Sequence, residues 1–243
     1  MKNYDATIVI PARNEDANIL TTLKLLADLK NIKMEILIVV DSRSDTTLKS
    51  FNSLPRKPLS AKILVQDFGP GPANAIRFGI VHASSDCVVV LMADGSDDIR
   101  SVPDLIALVK RGVVIACASR YMPGGQQIGG PRLKRFLSRT ASKILYHFAG
   151  VGTRDSTNSF KAYSRKFLED VGIESSNGFE MGIEMVAKAR GLRMPVAEVP
   201  TIWLDRTLGS SNFELTKWIP KYLKWFLTCF QRPRSITKQK KGG

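Results

Sequence analysis

Five short apolar-rich runs punctuate the first half of the chain: Thr7–Ile10, Met34–Val40, Lys62–Val65, Cys87–Met92 and Val113–Ala118. Each is too short for a stable helix and rich in β-branched residues, so each predicts a strand, with Thr7–Ile10 and Met34–Val40 reading as buried ones. Between the first two, Ile19, Leu20, Leu23, Leu26 and Leu29 recur at helical spacing. Further helices are predicted after the polar turn Asp41–Thr47, after Gly69-Pro70-Gly71-Pro72 as far as about Ala83, and from Pro103. Strands apolar throughout that alternate with helices predict an α/β domain, with a mostly parallel sheet covered by helices on both faces.

In such sheets ligands bind outside the carboxyl ends of the strands. The polar clusters here fall just after strands: Arg13-Asn14-Glu15, Asp41 to Asp45, Asp94 to Asp98, and Ser119-Arg120. Four strand ends with charged residues predict one shared crevice. The chain carries neither GxGxxG nor GxxxxGK[ST], which removes support for the common dinucleotide and P-loop readings.

The second half is less regular. A glycine-rich segment, Gly124-Gly125 to Gly129-Gly130, predicts a flexible loop that could serve as a lid. Arg132 to Ala149 places Leu133, Phe136, Leu137, Ile144, Leu145 and Phe148 beside Arg132, Lys134, Arg135, Arg139 and Lys143, the pattern of a basic amphipathic helix. Residues 214–230 set Trp218, Ile219, Tyr222, Leu223, Trp225, Phe226 and Phe230 against Lys217, Lys221 and Lys224, the pattern of a helix lying in a membrane interface. Pro220 is expected near the start of that helix, where a first turn tolerates it.

Charge sharpens this picture. The 243 residues carry a formal +14. Residues 1–131 hold a net +2, residues 132–213 a net +5, and the last 30 residues a net +7. A near-neutral body with basicity growing toward the C-terminus calls for an anionic partner: nucleic acid, a membrane surface or a phosphorylated substrate. No RNA- or DNA-binding motif supports the first. No apolar run reaches the roughly 18–20 residues needed to span a bilayer, and the N-terminus lacks the apolar stretch of a signal peptide. Three scattered cysteines, Cys87, Cys117 and Cys229, make no disulfide framework or zinc site. The expectation is a cytoplasmic protein attached peripherally to a membrane, with a domain over residues 1–213 and an interfacial helix and basic tail over 214–243.

The carboxylates of Asp94, Asp97 and Asp98 crowd one strand end, and hard oxygen ligands of this kind suit Mg²⁺ or Mn²⁺. Turn formation with Asp98 capping the next helix explains the same residues without a metal. Asp45 fits a helix cap, whereas Asp41 directly follows a strand and could accept from a base or ribose. Arg120, Arg132, Arg135 and Arg139 could clamp phosphates or form a solvated face. Asp155 to Phe160 is small, polar and ambiguous, and no Ser-His-Asp or Cys-His arrangement stands out.

Taken in order, IVIPARNE, VVDSRSDTT, the Gly69/Gly71 segment with NAIRFGI, MADGSDD, ASRY, RLKRFLSR, RDSTNSFKAYSR, NGFEMGIEM and EVPTIWLDRTLGSSNF make the chain resemble the inverting GT-A glycosyltransferases that include dolichol-phosphate mannose synthase. The resemblance covers about residues 5–213 and implies a Rossmann-like nucleotide-sugar domain. It implies that Pro11, Arg13, Glu15 and Asp41 surround the nucleotide and that Asp94 is the second acid of a DxD motif. It places Arg120 near the donor, and Arg135 with Ser138 or Arg139 at an acceptor phosphate. Asp155 and Ser159 would line the acceptor side, Glu180 and Glu184 an acidic helix, and Arg206 the donor diphosphate. Met92 replaces the first DxD acid, as in a branch carrying MADxSDD, so a metal would lean on Asp94 with Asp97 or Asp98. Asn212 falls where many relatives have a lysine.

The resemblance thus implies transfer of a mannose- or glucose-type sugar, with inversion, from a GDP- or UDP-linked donor to a polyprenyl phosphate, using Mg²⁺ or Mn²⁺. Asp94, Arg135, Arg139 and Arg206 would carry the catalysis. Two rivals are a hydroxyl acceptor, which needs a general base such as Asp155 or Glu180, and a non-catalytic lipid-binding relic with Met92 as the sign of lost activity.

Overall fold

The computed structural model describes residues 4–54, 60–176, 178–205 and 215–232, of which 215–218 are described by their backbone alone. Nine strands and eight α-helices are defined among them. The strands are β1 Ala6–Ala12, β2 Met34–Val40, β3 Ser60–Val65, β4 Cys87–Val90, β5 Ile115–Ser119, β6 Gln126–Ile128, β7 Lys161–Ser164, β8 Val196–Pro200 and β9 Ile202–Leu204. The helices are α1 Asp16–Ala27, α2 Thr46–Asn52, α3 Pro72–Val81, α4 Val102–Lys110, α5 Arg132–Ile144, α6 Arg165–Val171, α7 Met181–Gly191 and α8 Leu215–Thr228.

Seven strands form one sheet in the order β3-β2-β1-β4-β7-β5-β8. All neighbours are parallel except β7, which lies antiparallel between β4 and β5. The mostly parallel sheet follows from the apolar runs; the reversed β7 does not, because KAYS carries too weak a pattern to reveal its direction. Its effect is geometric: the turn before β7 is delivered to the same end of the sheet as the carboxyl ends of β1, β2, β4 and β5.

Successive strand residues point to opposite faces and build two cores. Ile8 and Ile10 join Ile19, Leu23, Leu26, Phe51, Val102 and Leu105 on one side. Val9 and Val39 join Ile76, Ile80, Phe167, Met185, Val186 and Trp225 on the other. Gly79 lets α3 lie close on the sheet, since a Cβ there would collide with Val9.

Two expectations change. The glycine-rich segment is not a free lid: β6 within it pairs in parallel with β9, and Gln126 N–H donates to Thr201 O at 2.9 Å. Pro220 stands inside α8 rather than in its first turn. The inner face of α8 packs on the second core through Tyr222, Trp225, Phe226 and Cys229, with Trp225 and Cys229 buried. Ile219, Leu223, Leu227 and Phe230 stay exposed on its outer side. Trp225 therefore belongs to the domain and is not available to a membrane. No helix among the described residues is long and apolar enough to cross a bilayer.

Candidate active site

The β1 and β2 ends build the first wall of the crevice. Pro11, the last residue but one of β1, is buried, while Arg13 is exposed. Asn14 turns the chain with a left-handed φ of 55°, and its N–H donates to both Asp45 carboxylate oxygens at 3.1 and 3.2 Å. Asp45 also caps α2 by accepting from Thr47 N–H, so the cap assignment for Asp45 agrees with the geometry. Glu15 N–H donates to Thr47 Oγ1, and Glu15 Oε2 accepts from Asn18 Nδ2 at 2.7 Å. Asp41 Oδ1 accepts from Gln66 Nε2 at 2.8 Å, and Gly71 N–H approaches both its oxygens at 3.3 and 3.4 Å. Asp41 thus fixes the glycine-rich loop before α3.

The segment after β4 forms the centre. Asp94 Oδ1 accepts from Ser96 Oγ at 2.6 Å and from Ser96 N–H at 3.1 Å. Asp97 is buried, and its Oδ2 accepts from Met92 N–H at 3.0 Å. Burial, opposed by that hydrogen bond and reinforced by the Asp94 charge, pushes the Asp97 carboxyl up to about 7. Asp98 faces elsewhere: it caps the 3-10 turn Ile99–Ser101 and forks onto Arg100 through Nε and Nη2, both at 2.8 Å. Among the described residues no three His, Cys, Asp or Glu side chains converge as a metal cage. The oxygen pair of Asp94 and Asp97 remains, two neighbouring carboxylates whose repulsion a hard divalent cation would relieve.

Arg120, at the end of β5, organises the far wall. Its Nε and Nη2 bind Asp155 Oδ2 and Oδ1 at 2.7 and 2.9 Å. Nη2 also reaches Thr157 Oγ1 at 3.3 Å and Ser138 Oγ at 3.4 Å. Nη1 makes no hydrogen bond among the described residues. Burial opposes the Arg120 charge, but the Asp155 carboxylate outweighs it and holds the guanidinium above its usual value. Burial likewise opposes ionisation of Asp155, yet Arg120 keeps that carboxyl below its usual range. Ser138 lies 2.6 Å from Thr157 Oγ1 and 3.0 Å from the Tyr121 hydroxyl, which donates to Gln127 Oε1 at 2.9 Å. The structure therefore brings together Arg120, Ser138 and Asp155. Arg135 and Arg139 occupy the same helix, with Arg139 exposed and its charge acting on the Tyr121 phenol. Ser159 sits in the turn before β7, half-buried. Arg206 and Asn212 lie outside the described residues, as does the tail from 233.

Sequence reasoning missed Tyr121, Thr157 and Lys161. Lys161 is fully buried, with its ammonium on the carbonyls of Ser156 and Asn158. Burial drives its pKa down, while Asp155 and Asp97 support the charge. A lysine among apolar strand residues was the one available signal. Glu184 has a structural role, accepting from the N–H groups of Glu174 and Ser175 at 2.7 and 2.8 Å.

Comparison with known proteins supplies the family. The family model described as glycosyl transferase family 2 matches residues 7–172. The dolichol-phosphate mannosyltransferase of Pyrococcus furiosus is 27% identical over 230 residues, 90% of this chain and 64% of its own length. The polyprenol monophosphomannose synthase of Mycolicibacterium smegmatis is 33% identical over 127 residues, 51% of this chain and 48% of its own. The undecaprenyl-phosphate mannosyltransferase of Micrococcus luteus is 25% identical over 84% of this chain and 85% of its own. The chain thus spans less than two thirds of the first two relatives. Among solved structures, glucosyl-3-phosphoglycerate synthase from Mycobacterium tuberculosis, in complex with Mn²⁺, UDP-glucose and phosphoglyceric acid, shares the fold. Its TM-score is 0.67 at 17% identity, over 96% of this chain and 81% of that one.

Proposed function

Because the chain belongs to glycosyl transferase family 2, we propose that it transfers a hexose, with inversion, from a GDP- or UDP-linked donor to the phosphate of a polyprenyl lipid at the cytoplasmic face of a membrane. The observation that carries this reading is the Arg120 network. A guanidinium held rigid by Asp155, with Ser138 and Thr157 beside it, is preorganised for phosphate recognition. The names of the three relatives support a polyprenyl phosphate acceptor.

In this reaction an anionic phosphate oxygen of the acceptor attacks the anomeric carbon, and the bond to the nucleoside diphosphate breaks as the new bond forms. That oxygen is already ionised at pH 7, so no general base is required. Arg120, expected near the donor, contacts Ser138 and is assigned with Arg135 and Arg139 from α5 to hold the acceptor phosphate in line. Asp155 positions Arg120 and takes no proton. This weakens the hydroxyl-acceptor reading as far as it relies on Asp155, because a carboxylate locked below its usual range by a guanidinium is a poor base. Pro11, Arg13, Glu15 and Asp41 surround the nucleotide. Asp94 and Asp97 would hold Mg²⁺ or Mn²⁺, with diphosphate oxygens completing the shell; the metal would neutralise charge on the departing diphosphate. Arg206 would add a cation there.

Two helices, α5 as well as α8, support membrane attachment. Leu133, Phe136, Leu137 and Ile144 line an exposed stripe on α5, and it continues into the π-helical turn Leu145–Ala149 with Phe148, 79% exposed. Arg132, Arg139 and Lys143 stand beside it, suited to anionic headgroups. The same helix turns Ser138 inward to Arg120, so the surface that would meet the bilayer backs directly onto the proposed phosphate site.

The test is purified protein with labelled GDP- and UDP-hexoses, a short polyprenyl phosphate and Mn²⁺. Formation of a sugar-phospholipid is expected. Absence of transfer from every donor would overturn the proposal.

A further inference from the structure

One buried charge is left over by this account. Helix α7 leads into β8, which runs parallel to β5, so α7 descends from the carboxyl ends of the parallel strands. Its first turn therefore opens on the crevice. Contact with the turn before β7 fixes it there: a Cβ at Gly182 would come within 3.0 Å of the Asn158 carbonyl oxygen. Asn158 in turn donates its N–H to Asp155.

At the head of this helix stands Glu180, 3% exposed. Its Oε2 is buried and receives no hydrogen bond among the described residues, the one side-chain atom there of which this is true. One turn on, the equally buried Glu184 takes two backbone N–H groups, the Ser175 hydroxyl and an ion pair with Lys188 at 2.8 Å. The two carboxylates differ here: both oxygens of Glu184 are satisfied by the fold, whereas Oε2 of Glu180 has no partner among the described residues. The helix dipole favours a negative charge at this end but supplies no hydrogen bond to Oε2. An unsatisfied buried carboxylate is costly, and such groups persist where a ligand completes them.

The chemistry of the missing partner is restricted. A carboxylate repels phosphate but accepts from a hydroxyl, which suits the hexose of a nucleotide sugar and not its diphosphate. Its position narrows it further. The strand order puts β2 and β3, with Asp41, at one end of the crevice and β5 and β8 at the other, with β4 and Asp94 between. A nucleoside diphosphate sugar with its base at β2 and its diphosphate at Asp94 extends its hexose toward α7. The charges of Glu180 and Arg120 both bear on the Tyr222 phenol, so the two lie on the same β5–β8 side of the crevice.

We infer that Glu180 accepts a hydrogen bond from a hydroxyl of the sugar being transferred and so selects which hexose is bound. This rests on the glycosyl-transfer reading above.

The experiment measures donor binding and turnover for wild type, Glu180→Gln and Glu180→Ala, using the best nucleotide hexose and its deoxy analogues at each ring position. In wild type, removal of one particular hydroxyl weakens binding about 10–100-fold, the range for a hydrogen bond to a charged group. In Glu180→Ala that penalty falls to within about twofold, while the other deoxy penalties stay. The ligand-free Glu180→Gln protein melts at or above wild type, whereas Glu184→Gln melts well below it. An unchanged deoxy pattern in Glu180→Ala overturns the inference and leaves the glycosyl-transfer reading standing. Loss of kcat with unaltered hexose discrimination also overturns it, in favour of a base acting on an acceptor hydroxyl. Wild type that binds no nucleotide sugar removes the underlying reading as well.

Discussion

The guanidinium of Arg120 forks onto the carboxylate of Asp155 through two hydrogen bonds of 2.7 and 2.9 Å, with Asp155 fully buried and Arg120 nearly so. Breaking a buried pair by removing one partner strands the other charge, at about 3–5 kcal/mol. Arg120→Ala should lose that much stability by urea denaturation. Arg120→Lys keeps a positive charge but not the fork, so it should remain folded while kcat/KM for a lipid phosphate falls about 100-fold. Retention of wild-type kcat/KM in Arg120→Lys would remove Arg120 from the acceptor site.

Asp97 ties stability to pH through the central carboxylates. Burial raises its folded pKa to about 7, far above its ordinary value of 3.8. The sign follows: the contribution from the protonated form is complete at acid pH and is lost as pH rises through about 7. Metal-free protein should therefore melt lower at pH 8 than at pH 5.5, by an amount that Asp97→Asn abolishes. Mn²⁺ with a nucleoside diphosphate should recover stability at pH 8 in wild type, and Asp94→Asn should reduce nucleotide affinity in Mn²⁺ at least tenfold. Calorimetry with and without EDTA checks both; identical affinities across these conditions would exclude a metal at Asp94.

The exposed stripes of α5 and α8 should hold the protein on anionic vesicles. Phe136→Ser with Phe148→Ser removes two exposed aromatics that contact nothing in the core, so melting should be unchanged while vesicle co-sedimentation falls about tenfold or more. Leu223→Ser with Leu227→Ser should act similarly. Truncation at 214 is a poor substitute, because Trp225 and Cys229 are part of the second core. Equal sedimentation of all variants would leave these stripes without a role at the membrane.

The sheet and its helices were legible because a parallel sheet leaves a strong mark: strands such as MEILIVV are buried on both faces and carry no polar alternation. Strand ends likewise disclosed Asp41, Asp94 and Arg120. What the pattern could not convey was pairing in space. Four residues of β7 run antiparallel, and nothing in KAYS reports direction. Asp98 and Asp97 are adjacent in sequence, yet one faces Arg100 at the surface and the other the Met92 backbone. Trp225 looked like an interfacial aromatic because helical periodicity records an apolar face without saying what covers it. Glu180 and Glu184 are alike on paper, and only their hydrogen bonds separate them.

The central claim is that the acceptor is an anionic lipid phosphate seated by Arg120. The most direct test offers labelled donor and Mn²⁺ to wild-type protein with a short polyprenyl phosphate, the corresponding polyprenol, or phosphoglycerate. Label is expected in the lipid phosphate alone, as a mild-acid-labile glycosyl phosphate. Transfer to the polyprenol or phosphoglycerate hydroxyl, with none to the lipid phosphate, would contradict it.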